Sequence, residues 1–174
     1  MSPIPGVRLH PQTPAEHRGW TWCGVATLVV VCAVTILVES MIAALPGRYW
    51  HVSFADPGWQ PPSWFFGSLW GASFLLTTGA AAMVWLARDR QDICCPLGTF
   101  AIQLTVSLAW PILLFGFGNT LLSFIAALIL WVSLTMTLVQ FFGVARPAGV
   151  LMVPYWLWVT AAAIWNGSIF FAAT

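Results

Sequence analysis

Aromatic side chains recur at helical spacing beside a few amide and hydroxyl groups in three apolar segments of the chain. They fall on one face of each segment when successive residues are drawn about 100° apart. These faces carry Trp70 and Phe74; Gln103, Ser107 and Trp110; and Tyr155, Trp158, Ala162 and Asn166. Aromatic planes with a few fixed hydrogen-bonding groups suit a flat, mostly apolar ligand, so the three faces predict one binding pocket.

Other kinds of site chemistry find no support in the residue pattern. The chain has no Ser-His-Asp set, no glycine-rich phosphate loop and no Cys/His spacing typical of a metal centre. Cys94 and Cys95 are adjacent, and Cys23 and Cys32 lie within one apolar segment. We therefore predict no metal site and no required cofactor, although His51 is a candidate axial ligand if the bound group is a haem.

Glu39 is the one acidic residue inside an apolar segment. A carboxylate within a membrane is costly and usually faces the bundle interior or the nearest interface. Because Glu39 lies about six residues from the end of its segment, two interpretations are open. It is either an interfacial residue bonded to Ser40 or the following loop, or a proton-linked or ligand-facing group.

The elements that position these residues are membrane spans. Of 174 residues, 60% are hydrophobic and only 6% are charged, whereas soluble domains carry about 25% charged residues. The sequence thus predicts an all-α integral membrane protein, a bundle of five transmembrane helices, each near the ~20 residues that a bilayer requires. The predicted spans are residues 20–45, 61–87, 97–117, 121–144 and 147–173, after a flexible tail of residues 1–19.

Arginine placement predicts the orientation of the bundle. Five of the six arginines fall on one side of a five-span threading, and only Arg48 falls on the other. The positive-inside rule then puts the N-terminus in the cytoplasm. Helical rather than β-barrel spans favour a bacterial cytoplasmic membrane.

The third span carries a second stripe, opposite the Gln103 face, of the small residues Ala101, Thr105 and Ala109. Small side chains at this spacing let two helix backbones approach closely. The partner helix is either another helix of the same chain or one from a second copy, and the second option predicts a homodimer.

The stretch WQPPSWFFGSLW opens the second span. Pro61 and Pro62 preset the backbone angles of a helix start. Trp59 and Trp64 are then placed at the mouth of the bundle, either as a lid over the pocket or as anchors at the lipid headgroups.

This stretch, together with AIQLTVSLAWPILLFG and VPYWLWVTAAAIWN, resembles the TspO/MBR family of tryptophan-rich sensory proteins related to the mitochondrial translocator protein. The resemblance implies a five-helix bundle, commonly a homodimer, with a pocket for porphyrins such as protoporphyrin IX and haem. By this resemblance, the residues that line the pocket in the family correspond to Trp70, Gln103, Trp158, Ala162 and Asn166.

Departures from the family pattern refine the expected ligand. Phe74 replaces the usual tyrosine, Ser107 the usual asparagine, and Trp165 the expected leucine. Because the C-terminal sterol motif is also lacking, porphyrin is favoured over sterol.

The resemblance implies a receptor or sensor that regulates tetrapyrrole handling or a stress response. One alternative is an enzyme that degrades porphyrin with light and oxygen, with Trp70 and Trp158 as the catalytic indoles. A second is a transporter of tetrapyrroles or sterols, which the lack of an inverted repeat disfavours.

Overall fold

The computed structural model describes the backbone of residues 14–44 and 63–173, and the side chains of residues 21–42 and 68–171. The described chain forms five α-helices and no strand. Their bounds are α1 Pro14–Ala44, α2 Ser63–Leu86, α3 Cys94–Pro111, α4 Thr120–Val144 and α5 Arg146–Ala173.

All five helices contain a stretch long and apolar enough to cross a membrane. Large apolar side chains cover the outside of the bundle; Leu75, Val139 and Ile164 are among the most exposed. Polar side chains such as Gln103, Thr137 and Asn166 are fully buried instead. An apolar exterior around a partly polar interior suits lipid as the surrounding solvent, and the predicted five-helix membrane fold is confirmed.

Helix α1 begins at Pro14, so residues 14–19 are helical although the sequence analysis places them in the flexible tail. Proline is favoured in the first turn of a helix because backbone N–H groups there have no acceptor within the helix, so the lack of an N–H costs no hydrogen bond. The hydropathy pattern marks the apolar span, predicted to begin at residue 20, and does not detect this polar extension.

Helix α3 ends in a feature that the hydropathy pattern does not predict. After Pro111, residues Ile112–Gly116 form a π-helical turn, closed by a 3.0 Å bond from the Phe117 N–H to the Ile112 carbonyl. Gly118 then adopts a left-handed backbone angle, φ 62°, which glycine tolerates without strain. The side chain of Asn119 accepts a 2.9 Å bond from the Leu122 N–H and starts α4.

The helices pack so that α5 contacts both α2 and α4, while α1 contacts α2 and α3. Of the five spans, α5 is the most buried and α1 the least. The contact between α1 and α2 is close, because a Cβ added at Gly24 would lie 2.0 Å from the Trp85 ring. Indole Nε1 of Trp85 also donates a 3.2 Å bond to the Thr21 carbonyl.

Candidate ligand site

The centre of the candidate site is the indole of Trp70, which contacts four other aromatic rings. It stacks on Trp110 with ring centroids 5.4 Å apart and meets Phe74 at 6.3 Å. It meets the edges of Tyr155 and Trp158 at 6.5 and 6.4 Å. These five rings, here called the aromatic cluster, come from α2, α3 and α5, so the three predicted faces do converge.

The helix register explains why the rings meet. Trp70 and Phe74 are four residues apart on α2, and Tyr155 and Trp158 are three apart on α5, spacings that put each pair on one side of a helix. All five side chains are at most 7% exposed. The cluster lies toward the C-terminal ends of α1 and α3 and the N-terminal end of α2, where the first loop joins the bundle.

Glu39 of α1 reaches into the aromatic cluster. Its carboxylate accepts a hydrogen bond from the Trp70 indole Nε1 at one oxygen and approaches the Ser107 hydroxyl, 2.8 Å away, with the other. The side chain is 3% exposed. Among the described residues Glu39 faces inward and contacts α2 and α3; a proton-linked or ligand-facing role stays a prediction.

Gln103 and Tyr155 provide further polar groups at the cluster. The Gln103 side chain is fully buried, and neither its amide oxygen nor its nitrogen has a hydrogen bond among the described residues. The Tyr155 hydroxyl approaches this amide but does not reach hydrogen-bond geometry. Buried polar groups that lack a partner cost free energy, about 1–3 kcal/mol each, which marks this pair as a place where a ligand atom would be favoured.

The remaining predicted residues of α5 lie deeper along that helix. Ala162 is buried one turn beyond Trp158 on the same face. Asn166 is about 12 Å beyond Trp158 along the helix axis, and its side-chain oxygen accepts a 3.3 Å bond from the Ser123 hydroxyl of α4. Asn166 therefore ties α5 to α4 and makes no described contact with the aromatic cluster.

Two predicted residues cannot be placed. Trp59 and the turn at Pro61 and Pro62 lie outside the described residues, and so does the side chain of Trp64. The interpretation of this turn as a lid or an anchor stays a prediction.

Glu39 is absent from the predicted binding residues. Among the α1 side chains that the structure describes, Cys32, Thr35 and Glu39 are the buried ones, and their spacing of three and four residues follows one helix face. The signal that could have placed Glu39 in the site is its charge within an apolar span, since such a group usually faces the bundle interior or the nearest interface.

No group of three or more His, Cys, Asp or Glu side chains that could hold a metal ion occurs among the described residues. The site is thus built from aromatic planes, one carboxyl group and a few neutral polar groups.

Five apolar helices around a buried aromatic and polar interior define a multi-pass integral membrane protein. Comparison with known sequences identifies the family of membrane proteins. The chain belongs to the TspO/MBR family, whose sequence profile matches residues 25–172.

Curated relatives from bacteria and animals agree with this assignment. Tryptophan-rich protein TspO of Chlorobaculum tepidum is 28% identical over 145 residues, which cover 83% of this chain and 92% of that protein. Protein CrtK of Rhodobacter capsulatus is 31% identical over 83% of this chain and 89% of its own length. The translocator protein of Ovis aries is 30% identical over 69% of this chain and 72% of its own.

Proposed function

We propose that the protein is a membrane receptor or sensor that binds a porphyrin, such as protoporphyrin IX or haem, among the rings of the aromatic cluster. The observation that carries the proposal is the meeting of three indoles, Tyr155 and the unpartnered Gln103 amide at one end of the bundle. A tetrapyrrole is flat and mostly apolar, so indole faces would stack on it while the amide would meet a polar atom.

Other flat hydrophobic molecules fit the same description. The porphyrin is preferred because of the family resemblance of Trp70, Gln103 and Trp158. The output of such a receptor would be regulation of tetrapyrrole handling or of a stress response. No cofactor is required for binding in this proposal, since the porphyrin is the ligand.

A titration of the purified protein with protoporphyrin IX in the dark tests binding. We expect saturable quenching of tryptophan fluorescence that reverses when the porphyrin is removed intact. Ala162→Phe should weaken binding, because the new ring enters the buried face next to Trp158. Ala161→Phe is the matched control, since the neighbouring Ala161 is exposed on the surface of the same helix. Quenching that does not saturate, or equal affinities for the two variants, would refute the proposed site.

A second candidate function is porphyrin degradation in light. Trp70 and Trp158 are in edge contact at 6.4 Å and both are buried. In this candidate one indole gives an electron to the photoexcited porphyrin, and the reduced porphyrin passes it to dissolved oxygen, which becomes superoxide. The indole radical cation then takes an electron back from the porphyrin, and the oxidised ring combines with superoxide. Illumination should then yield a new absorbing product that Trp70→Phe and Trp158→Phe do not form. If both variants bleach porphyrin as the parent does, this candidate fails while the receptor proposal stands.

A further inference from the structure

The buried carboxyl group of Glu39 is not needed to hold a neutral, flat ligand. It is 3% exposed inside a membrane span and lies against Trp70 and Ser107. Burying a carboxylate inside a membrane costs free energy, so the surroundings of Glu39 should show which interaction offsets that cost.

The acceptor capacity of Glu39 is only partly used. A carboxylate offers about four lone-pair positions, while the described donors are the Trp70 indole and the Ser107 hydroxyl, one at each oxygen. The Ser107 oxygen also lies 2.8 Å from the Leu104 carbonyl. Each Glu39 oxygen thus has about two lone-pair positions and one donor among the described residues, which leaves a position on each for a further donor.

No positive side chain balances Glu39 within the described part of the chain. The arginines described there are Arg88, Arg90 and Arg146, at the ends of α2 and α5 away from the cluster. Arg88 bonds to Thr21 of α1, 18 residues before Glu39, which is about 27 Å along that helix. At that distance the two charges are well separated.

The surroundings of Glu39 suit an organic cation with an apolar body. The Trp70 indole presents its N–H edge to the carboxylate, and the same ring contacts four other buried rings, which offer an apolar lining. A carboxylate beside these rings adds a direct counter-charge with free lone pairs.

We infer that the Glu39 end of the aromatic cluster binds the ammonium group of an apolar organic cation, whose hydrocarbon body lies among the rings. The inference shares with the proposed function the premise that the cluster admits a ligand. It differs in the ligand class, because Glu39 would repel the side-chain carboxylates of a porphyrin. A porphyrin in the same cluster must then turn those carboxylates away from α1.

Two fluorescent probes of equal size and shape test the inference. These are 9-(aminomethyl)anthracene, which is positively charged at neutral pH, and 9-(hydroxymethyl)anthracene, which is neutral. We expect the parent protein to bind the amine about tenfold or more tightly than the alcohol, as charged hydrogen bonds are the stronger ones. Equal affinities, or no binding of either probe, would overturn the inference.

Glu39→Gln isolates the charge from the geometry. The glutamine amide keeps an oxygen that accepts from Trp70 and a nitrogen that donates to Ser107, so the fold and the ring positions should be retained. In this variant the amine should lose its preference while the alcohol binds as before. Ser133→Ala is the control: it removes a buried hydroxyl that bonds to its own helix on α4, keeps the Glu39 charge and should keep the preference. A preference that survives Glu39→Gln, or is lost in Ser133→Ala with a normal melting temperature, would contradict the role of Glu39.

A parallel protoporphyrin IX titration separates this inference from the proposed function. If the amine preference depends on Glu39 but porphyrin does not bind, the receptor proposal fails and the cation site stands. If porphyrin binds while the two anthracene probes bind equally, the cation site fails and the receptor proposal stands.

Discussion

At the residue scale, the interior of this bundle holds polar groups where apolar ones would pack as well. Gln103 is 0% exposed and both of its amide atoms lack a partner among the described residues. Thr137 is also fully buried, but its hydroxyl donates to a backbone carbonyl. Gln103 instead carries two buried polar atoms without a described partner, a cost to the fold that is typical of a residue kept for binding.

Gln103→Leu should raise stability and weaken porphyrin binding together. Leucine has a similar volume and no polar atoms, so the variant removes the desolvation cost of the amide, about 1–3 kcal/mol. Thermal unfolding in detergent measures the first effect, and the dark porphyrin titration measures the second. A variant that is destabilised would show that the amide is satisfied in the folded protein and would remove the argument for a ligand partner.

At the element scale, α4 and α5 are joined by a reciprocal pair of indole–hydroxyl bonds. The Trp131 indole donates to Thr160 at 2.9 Å, and the Trp156 indole donates to Thr135 at 2.8 Å. Each threonine hydroxyl also donates to a backbone carbonyl of its own helix. Thr160 donates to the carbonyl of Trp156, and Thr135 donates to that of Trp131. The two indole rings also contact each other at 5.9 Å, so the four side chains form one clasp.

Thr135→Val and Thr160→Val should each destabilise the bundle by about 0.6 kcal/mol, and at most about 1.7 kcal/mol, the range for hydrogen bonds between membrane helices. Valine keeps the shape of threonine, so the loss reports on the hydroxyl alone. Thr27→Val is the matched control, because the exposed Thr27 hydroxyl bonds to its own helix at the Cys23 carbonyl. Unfolding of all three variants in the same detergent gives the comparison, and equal losses in all three would remove the clasp as a source of stability.

At the scale of the whole molecule, the outer surface of α3 is relevant to the oligomeric state. Ala101 and Thr105 are exposed and Ala109 is half-buried, so the described helices leave most of the small-residue stripe uncovered. Between α1 and α3, beside this stripe, lies a groove of about 360 Å³ whose lining includes Val31, Ala101 and Leu108. We propose that the stripe is the face of a homodimer.

Ala101→Leu should shift the protein from dimer to monomer, since a larger side chain separates the two backbones. Ala161→Leu makes the same change at an exposed position of α5 and should leave the dimer intact. Light scattering in detergent measures the mass of both variants. A dimer that persists in Ala101→Leu would place the interface elsewhere.

Orientation is a second property of the whole molecule. We propose that the N-terminus faces the cytoplasm of a bacterium and that the segment between α2 and α3, which carries Arg88 and Arg90, lies on the same side. Cys94 and Cys95 are exposed at the start of α3 and report on that side.

In a Cys23→Ser background, a membrane-impermeant maleimide should label Cys94 and Cys95 in inverted vesicles and not in intact cells. Cys32 is buried and should stay unlabelled in both. Further replacement of Cys94 and Cys95 by serine is the control that should abolish the signal. Labelling in intact cells would reverse the orientation.

Much of the fold could be predicted because hydropathy decides it locally. A run of apolar residues long enough to span a bilayer must be a helix, since every backbone polar group has to be bonded within it. The π-helical turn at residues 112–116 could not be read in this way, because its sequence ILLFG is apolar like any span. The helical start at Pro14 could not be predicted from hydropathy either, because the residues that follow it are mostly polar and lie outside the apolar span.

The site was predicted in part. The inward faces of α2, α3 and α5 follow from residue spacing, which fixes the direction of each side chain around its own helix. The place of Glu39 does not follow, because its contacts with Trp70 and Ser107 join residues 31 and 68 positions apart. Asn166 shares a face with Trp158, yet its partner is Ser123 of another helix.

The sequence by itself determined that this chain is a membrane protein, that it has five helices and which side of three of them is polar. These properties depend on the transfer of single side chains from water to lipid and on the helical period, and both act within one segment. Only the tertiary structure decided which faces meet, that Trp70 lies at the centre of five rings and that the carboxyl group of α1 joins them. Such contacts depend on the packing angle and depth of separate helices, which no local pattern encodes.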